Sequence, residues 1–562
     1  MNHLSPPAWV RKRDGQLVPF EADKISRALF AATEALGRPD AFLARELADG
    51  IVHFLCDEND DATPTTADIA ELVIKVVREL GQPALAEAFA AFGQQRERGP
   101  RRKLTPAREE VVLRFPRGEG LPRILAACAR QYTLQSVYTR DLISAQENGL
   151  LTLTGHRFPE ELEACVLNPH TAPALLRGDL PSALQEVRSI AGGRIVLDGP
   201  EHFLARAGQE AQEQVREFAH RLEAGLAEQR LTAVVNLNTA TPPSWADDLA
   251  VGPLFENRRY APAEGDLFRL AQSLFQVLAP ARGVRIDWHL GERDFLPESN
   301  ERRSWLRHLI EQALNDARRL SFVFDRSRHA VRLAEGIDRQ HPAVLLTVGL
   351  HLPRLVQLAG GDDDRERFLH KLGSLTRLAL SAGVQKRAYL RSRERGRASN
   401  SSDTPVVTSG FLLDRARLVV APVGLDRVVT TFTGQGLSAG GESLDFGKQV
   451  IQRLLEILHE GQSSRLNACL DGLYGFHLEE PENGEPCVEP RGIAGLSAWD
   501  TMAPVKDQWR AAGVLQGLAE GGTLALFLPP DRAAPDQVAS WLRAIWKQTE
   551  VVRVRLMCGS HR

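Results

Sequence analysis

The chain has 562 residues, of which 43% are hydrophobic and 25% are charged, and its formal net charge at pH 7 is -3. This length exceeds what one ordinary hydrophobic core supports, and the small net charge supplies no basic field for nucleic acid, so we expect two or three domains and no nucleic-acid partner. No apolar run reaches the length of a membrane span and the first residues carry no signal-peptide core, so the expected protein is cytoplasmic, with no membrane partner. The six cysteines form no CxxC pair, which argues against a disulfide framework and a tetrahedral zinc site.

The first predicted element is a short basic hairpin. Lys12 and Arg13 directly precede Asp14-Gly15, a dipeptide favoured in tight hairpin turns. The flanking residues of the strand-forming kind are Val10, Leu17 and Phe20. A helix is expected to begin near Ala22, with acidic residues in its first turn and one buried face formed by Ile25, Leu29 and Ala32. The turn thus presents cations suited to phosphate oxygens, and the alternative is a solvated basic turn, as most short charge runs are.

Two later segments extend this pattern. Residues 65–74 start with two threonines and predict a third helix, and residues 85–92, followed by Arg96, predict a closing helix. Together with the hairpin they resemble the ATP-cone, a regulatory nucleotide-binding module of many ribonucleotide reductases and of a repressor of their genes. The nucleotide-binding residues that the resemblance implies are Val10, Lys12, Arg13, Glu21, Lys24, Thr66 and Arg96. It also implies ATP or dATP as the allosteric ligand, with magnesium, and a homo-oligomer whose assembly depends on the nucleotide.

A basic segment with prolines, residues 98–106, predicts a linker between a domain of residues 1–97 and a domain of residues 107–562. In the second domain, helical patterns alternate with short apolar runs, which indicates an α/β fold with a largely parallel sheet or a barrel. The apolar runs predict buried strands at residues 231–237, 284–290, 321–324, 343–348, 418–423 and 524–528. Two polar segments are predicted to be exposed, residues 391–404 as a mobile loop and residues 479–486 as an acidic surface turn.

Several fragments of the second domain occur in the order in which a known family has them. They are residues 144–153 followed by Cys165, then 347–354, 378–390, 423–427 with 432–434, and 521–523. These fragments resemble the catalytic domain of the anaerobic, glycyl-radical (class III) ribonucleoside-triphosphate reductases. The resemblance implies a ten-stranded α/β barrel made of two antiparallel half-barrels. The predicted fold is therefore a small mixed α+β ATP-cone, which consists of a hairpin and a helical bundle, followed by that barrel.

The parts that carry radical chemistry in that family have no counterpart in this sequence. Such reductases use a thiyl radical on a finger-loop cysteine and a glycyl radical near the C-terminus. The corresponding finger-loop region, residues 333–349, contains no cysteine, the Arg-x-x-Gly-Tyr pattern is missing, and the zinc motifs reduce to Cys558-Gly559. No glycyl radical and no zinc site are therefore expected. Cys165 is the remaining match to a catalytic position, as a redox or nucleophilic thiol, and the alternative is a small buried residue.

Three weaker candidates have plain structural interpretations. His289 and His351 lie in apolar strand patterns, where a satisfied core histidine is more common than a ligand. The glycines at residues 434–441 are compatible with a phosphate cradle, but a tight turn explains them as well.

Two functional hypotheses follow. The first is an ATP- or dATP-binding protein in which an ATP-cone is joined to a reductase-like domain without its radical machinery, acting as a regulatory protein or pseudoenzyme. The second is a divergent anaerobic reductase that makes deoxyribonucleotides, or one half of a split enzyme whose radical subunit is a separate chain. A transcriptional regulator is disfavoured, because no zinc ribbon or basic recognition helix precedes the cone.

Overall fold

The computed structural model describes most of the chain. The described residues are 6–57, 63–98, 121–155, 159–167, 174–175, 179–188, 190–204, 211–241, 264–296, 300–315, 320–326, 336–338, 340–359, 364–400, 413–460, 466–471, 504–519, 522–528 and 533–557.

The N-terminal domain is a two-stranded hairpin on a bundle of four helices. Its elements are β1 (Trp9–Arg11), β2 (Leu17–Pro19), α1 (Ala22–Ala35), α2 (Ala41–Asp57), α3 (Thr66–Glu79) and α4 (Pro83–Arg98). The predicted start of α1 at Ala22 is confirmed, as is its buried face of Ile25, Leu29 and Ala32. The third and the closing helix are also present where the sequence places them.

The second domain is one large mixed sheet with helices packed against it. Its strands are β3 (Leu151–Leu153), β4 (Leu162–Leu167), β5 (Ala191–Asp198), β6 (Thr232–Leu237), β7 (Val284–Leu290), β8 (Leu320–Phe324), β9 (Ala343–His351), β10 (Arg417–Val423), β11 (Cys469–Leu470), β12 (Thr523–Phe527) and β13 (Arg553–Met557). Its helices up to β9 are α5 (Leu121–Val137), α6 (Arg140–Glu147), α7 (Leu180–Arg188), α8 (Pro200–Leu204), α9 (Ala211–Gln229), α10 (Glu264–Leu278) and α11 (Asn300–Asn315). Those after β9 are α12 (Leu352–Ala359), α13 (Arg365–Asn400), α14 (Leu425–Thr433), α15 (Gly441–Glu460), α16 (Val505–Ala519) and α17 (Pro535–Gln548).

The sheet consists of two groups of strands that run in opposite directions. The strand order is β11-β10-β9-β4-β5-β6-β7-β8-β13-β12, with β3 paired to β9 off this path. Strands β4 to β8 are parallel to one another, and they meet the second group through the antiparallel pairs β4–β9 and β8–β13. Ten strands therefore follow one path as two opposed groups, which confirms the predicted fold class of a mixed α+β cone and a large α/β, barrel-like sheet domain.

All six predicted strands are present, as β6, β7, β8, β9, β10 and β12. Each is a short apolar run because both faces of the sheet are buried along most of its length. The prediction for residues 391–404 is wrong over its first ten residues, because α13 continues through Asn400. Arg391 and Arg393 are exposed on that helix and pair with Asp414 and Glu160, so a polar surface segment was mistaken for a loop. Residues 401–404 and 479–486 lie outside the described residues.

The register of the strands separates two faces of the sheet. Asn236 pairs with Asp287, and Asp287 pairs with Ser321, so the three side chains share one face. We call this face, which also carries Arg194, His289 and Arg553, the polar face. The other face packs on the helices through buried Leu197, Val235, Trp288 and Phe322.

Candidate functional site

The hairpin turn holds two cations next to each other on the surface of the N-terminal domain. Lys12 N–H donates to the Gln16 carbonyl at 2.9 Å, and Gly15 N–H donates to the Lys12 carbonyl at 2.9 Å. The Asp14 carboxylate accepts the Gln16 N–H at 3.0 Å, and Gly15 adopts a φ of 81°, which glycine takes without steric cost. The turn is thereby fixed, and Lys12 and Arg13 are exposed on it.

The start of α3 lies directly against the hairpin. Arg11 N–H donates to the Pro64 carbonyl at 3.0 Å, and Arg11 forms a parallel bridge with Thr65. Thr65 caps α3 in a capping box with Asp68, whose carboxylate accepts the Thr65 N–H at 2.9 Å. These hydrogen bonds to the ionised carboxylate lower the pKa of Asp68. Thr66 is the first residue of the helix, so the sequence-predicted threonine stands beside the hairpin strand that leads to Lys12.

The start of α1 contributes two further charged candidates. Glu21 is the N-cap residue, and its carboxylate accepts from Lys24 Nζ at 2.9 Å. The side chains of Lys24 and Glu21 are 58% and 49% exposed, so the pair is open to a ligand. Val10 is the buried anchor of β1. Arg96 lies in α4, which packs on α1 and α3, while the position of its side chain lies outside the described residues.

The structure thus brings the hairpin turn and the start of α3 together, with the first turn of α1 following directly from β2. The turn carries Lys12 and Arg13, and the N-terminus of α3 adds the positive end of a helix dipole. At this turn a polyphosphate would find a point charge from Lys12 and a planar fork from Arg13. The role of each of the seven predicted residues in binding stays a prediction.

Cys165 is buried on the sheet face opposite the polar face. It pairs in register with Ile195 and Ala343 and is 0% exposed. Burial raises the pKa of its thiol to about 12. Its predicted catalytic role stays a prediction, and its surroundings favour the alternative of a small buried core residue.

We expect Cys165 to resist alkylation in the folded protein. With a pKa of about 12, almost all of the thiol is protonated at pH 8, and the thiolate is the nucleophile. Treatment with iodoacetamide at pH 8 and peptide mass spectrometry should show Cys165 labelled at least about tenfold more slowly than the half-buried Cys128. The difference should vanish in denaturant. Labelling of Cys165 as fast as Cys128 in the native protein would contradict this expectation.

The polar face carries a chain of buried polar contacts that sequence reasoning did not single out. Asp287 pairs with Arg553 at 3.1 Å, Arg555 donates to the Ser321 hydroxyl, and His289 lies between Asn236 and Asp325 at 2.9 and 2.8 Å. The interpretation of His289 as a satisfied core histidine agrees with these two contacts. The sequence contains a signal for these contacts. Polar residues alternate with apolar ones in Val284–Leu290 and Arg553–Met557, which places Asp287 and Arg553 on one face of otherwise apolar strands.

The segment between β8 and β9 joins the two groups of strands and contains no cysteine. Residues 343–349 of the region compared with the finger loop lie in β9. Within the described part, Ile337 is buried against Val419, and Asp338 pairs with Arg417 at 2.9 Å. Although burial opposes it, contact with His341 and Arg417 lowers the pKa of Asp338. This part of the segment is held against the sheet by a buried apolar residue and an ion pair.

His351 and the glycine cluster have structural explanations. His351 Nε2 lies 2.7 Å from the Thr152 hydroxyl, and burial lowers the pKa of its imidazole. Gly434 and Gly440 both have a φ of 75°, and Leu437 N–H donates to Asp426 at 2.7 Å. These contacts favour a tight turn between α14 and α15 over a phosphate cradle.

Among the residues that the structure describes, no group of three His, Cys, Asp or Glu side chains is placed to hold a metal ion. Within the same residues no helix is long and apolar enough to cross a membrane.

Comparison with known proteins assigns both domains to known folds. The ATP cone domain family matches residues 9–98, so the chain has an ATP-cone domain at its N-terminus. No match was found among curated proteins.

Solved structures of anaerobic ribonucleotide reductases resemble the larger part of the chain. The enzyme from Thermotoga maritima in complex with dATP and CTP is 12% identical, with a TM-score of 0.56 over 77% of this chain and 83% of that chain. The Thermotoga maritima enzyme with citrate in the active site is 11% identical, with a TM-score of 0.57 over 95% of this chain and 96% of that chain. Another anaerobic ribonucleotide reductase is 12% identical, with a TM-score of 0.53 over 77% and 76% of the two chains. At these identities the likeness shows the fold, and this chain has the fold of an anaerobic ribonucleotide reductase over most of its length.

Proposed function

We propose that the protein binds ATP or dATP at its ATP-cone and that this binding regulates the reductase-like domain. The observation that carries the proposal is the geometry of the cone: Lys12 and Arg13 stand on a fixed turn beside the start of α3, and the exposed Glu21–Lys24 pair follows β2 at the start of α1. Two cations on a turn beside the start of α3, with a third in the first turn of α1, suit a triphosphate far better than a neutral ligand.

The proposed roles follow from the chemistry of each group. Lys12, Arg13 and Lys24 bind phosphate oxygens, and Arg96 on α4 adds a further cation to the same bundle. Val10 fixes the strand from which the turn projects, and Thr66 offers a hydroxyl beside it. Glu21 has the carboxylate oxygens that a magnesium ion accompanying the phosphates would take as ligands.

The test is calorimetric titration of the purified full chain with ATP and with dATP in the presence of magnesium. We expect binding by the wild type and at least a tenfold rise in Kd when Lys12 and Arg13 are both replaced by alanine, because each charge-assisted contact with a phosphate contributes about 1.5–3 kcal/mol. Lys75→Ala is the matched control, since it removes an exposed charge from α3. The proposal fails if the wild type gives no heat of binding, or if the double variant binds as the control does.

For the large domain we propose a regulatory or binding role without radical chemistry. The supporting observation is that the segment joining β8 to β9 has no cysteine, so no thiol is available there to take a hydrogen atom from a ribose. On this proposal the protein works in the cytoplasm and forms homo-oligomers that change with the nucleotide, which size exclusion with light scattering measures.

The second candidate function is reduction of ribonucleotides with a separate radical-bearing subunit. It is favoured by the fold likeness, which extends over 95% of this chain and 96% of the Thermotoga maritima chain. An anaerobic assay with an activase and the product of any neighbouring gene that encodes Arg-x-x-Gly-Tyr separates the two candidates. Deoxynucleotide formation that depends on Cys165 would establish the second candidate.

A further inference from the structure

One side of α13 faces the ATP-cone with a stripe of polar residues. Lys371, Ser374, Arg377 and Ser381 are spaced by three, three and four positions, so they lie along one face of the helix. Each of them has a partner on α1 or α2: Lys371 contacts Glu46 at 3.4 Å, Ser374 and Arg377 contact Asp49 at 2.7 and 3.2 Å, and Ser381 contacts Asp23 at 2.7 Å. The two domains therefore meet through directed hydrogen bonds.

Arg45 of α2 ties these contacts together from the cone side. Its guanidinium pairs with Asp23 at 2.6 Å and with Asp49 at 3.0 Å, while its own side chain is 6% exposed. Each of these carboxylates uses its other oxygen for a serine of α13, Asp23 for Ser381 and Asp49 for Ser374. Asp23 and Asp49 are 24% and 10% exposed, so the network is shielded from solvent and its geometry is restrictive.

Asp23 is also part of the nucleotide site's framework. It lies between Glu21 and Lys24 in the first turn of α1, where Lys24 N–H donates to the Glu21 carbonyl at 3.0 Å. A phosphate that engages Lys24 competes with Glu21 for the ammonium, and both residues belong to the turn that aims Asp23 at Ser381. We propose that the Asp23–Ser381 contact couples occupancy of the nucleotide site to α13, and this inference rests on the proposed function.

The coupling has a physical route into the large domain. α13 packs on β9, one of the two strands at which the groups of the sheet meet, and on α15. The Asp23–Ser381 bond holds the first turn of α1 in place, which preorganises Lys24, and by linkage any nucleotide that needs this turn also stabilises the contact with α13. The contact at Asp49 lies on α2, outside that turn, and reaches Asp23 only through Arg45.

Ser381→Ala tests the inference, with Ser374→Ala as its matched control. Both changes remove one hydroxyl from the same face of α13 and one hydrogen bond to a cone carboxylate, and neither residue belongs to the proposed nucleotide site. We expect Ser381→Ala to raise the Kd for ATP about two- to tenfold and to abolish the ATP-dependent protection of residues 365–390 in hydrogen–deuterium exchange. Ser374→Ala should leave the Kd within about twofold of wild type and retain the protection.

The outcomes separate the inference from the function on which it rests. A wild type that does not bind ATP overturns both. ATP binding with an equal or lower Kd in Ser381→Ala, or with undiminished protection of α13, overturns the coupling alone. Equal effects of the two serine variants also overturn it, because they would indicate general loosening of the interface. Ser381→Thr, which keeps the hydroxyl, should restore both measurements.

Discussion

Arg45→Ala should lower the free energy of unfolding of the cone by about 3–5 kcal/mol, because it leaves two shielded carboxylates without their common counter-charge. Asp23 and Asp49 lie 2.6 and 3.0 Å from the guanidinium, and neither can turn to bulk water without giving up its serine on α13. Although burial disfavours the charged form, Asp49 and Asp23 outweigh that cost and raise the pKa of Arg45. Thermal unfolding followed by circular dichroism, with chemical denaturation for the free energy, measures the change.

The control for this prediction is Arg140→Ala. Arg140 pairs with Glu34 across the same domain interface at 3.3 Å, but its side chain is 79% exposed, and exposed ion pairs contribute little. Arg45→Lys should be intermediate, since a lysine keeps the charge and cannot span both carboxylates with a planar fork. If Arg45→Ala unfolds at the same temperature as Arg140→Ala, the contacts of Arg45 with Asp23 and Asp49 do not stabilise the cone.

Asp287→Asn should destabilise the sheet domain by about 3 kcal/mol while keeping the shape of the side chain. Asp287 is fully buried on the polar face, with Arg553 at 3.1 Å and Arg285 at 3.9 Å. Removing its charge takes away the buried carboxylate that these two guanidiniums share. Differential scanning calorimetry should show the loss in the transition of the large domain.

Asp445→Asn provides the comparison, because Asp445 pairs with Lys448 at 2.8 Å on the exposed surface of α15. This substitution should leave the unfolding temperature of the large domain unchanged. If Asp287→Asn lowers the temperature of this transition no more than Asp445→Asn does, then the attraction between Asp287 and Arg553 only offsets the cost of burying their charges.

Local patterns were enough to predict the elements whose residues all agree with one structure. The Asp-Gly turn, the acidic first turn of α1 and the six apolar strands are of this kind, because propensity, periodicity and burial favour the same result there. β5 and β13 were missed because Arg194, Arg553 and Arg555 interrupt their apolar pattern. Arg553 pairs with Asp287 of β7 and Arg555 with Ser321 of β8, and a partner on another strand cannot be recognised from ten neighbouring residues of the sequence.

The same distinction applies to the site. The cations of the turn could be predicted, since adjacent residues and a family resemblance define them. The contacts of α13 with the cone could not, because Ser374 and Ser381 are unremarkable in sequence and acquire a role only from carboxylates more than three hundred positions earlier in the chain. Polar residues at helical spacing within an otherwise buried helix were the available signal, and the high charge of residues 391–400 obscured it.

The order of strands in the sheet has a consequence for how the chain folds. Strands β4 to β8 are consecutive in sequence and pair with their neighbours, so this group can assemble while the rest of the chain is still being made. Its two edges are then closed from opposite sides, β9 pairing with β4 and the much later β13 pairing with β8. Until β13 arrives, β8 presents the unpaired backbone of Leu320–Phe324, an apolar edge of the kind that recruits other chains. Synthesis that stalls before Arg553 should therefore yield aggregates, whereas loss of the N-terminal cone leaves both edges covered.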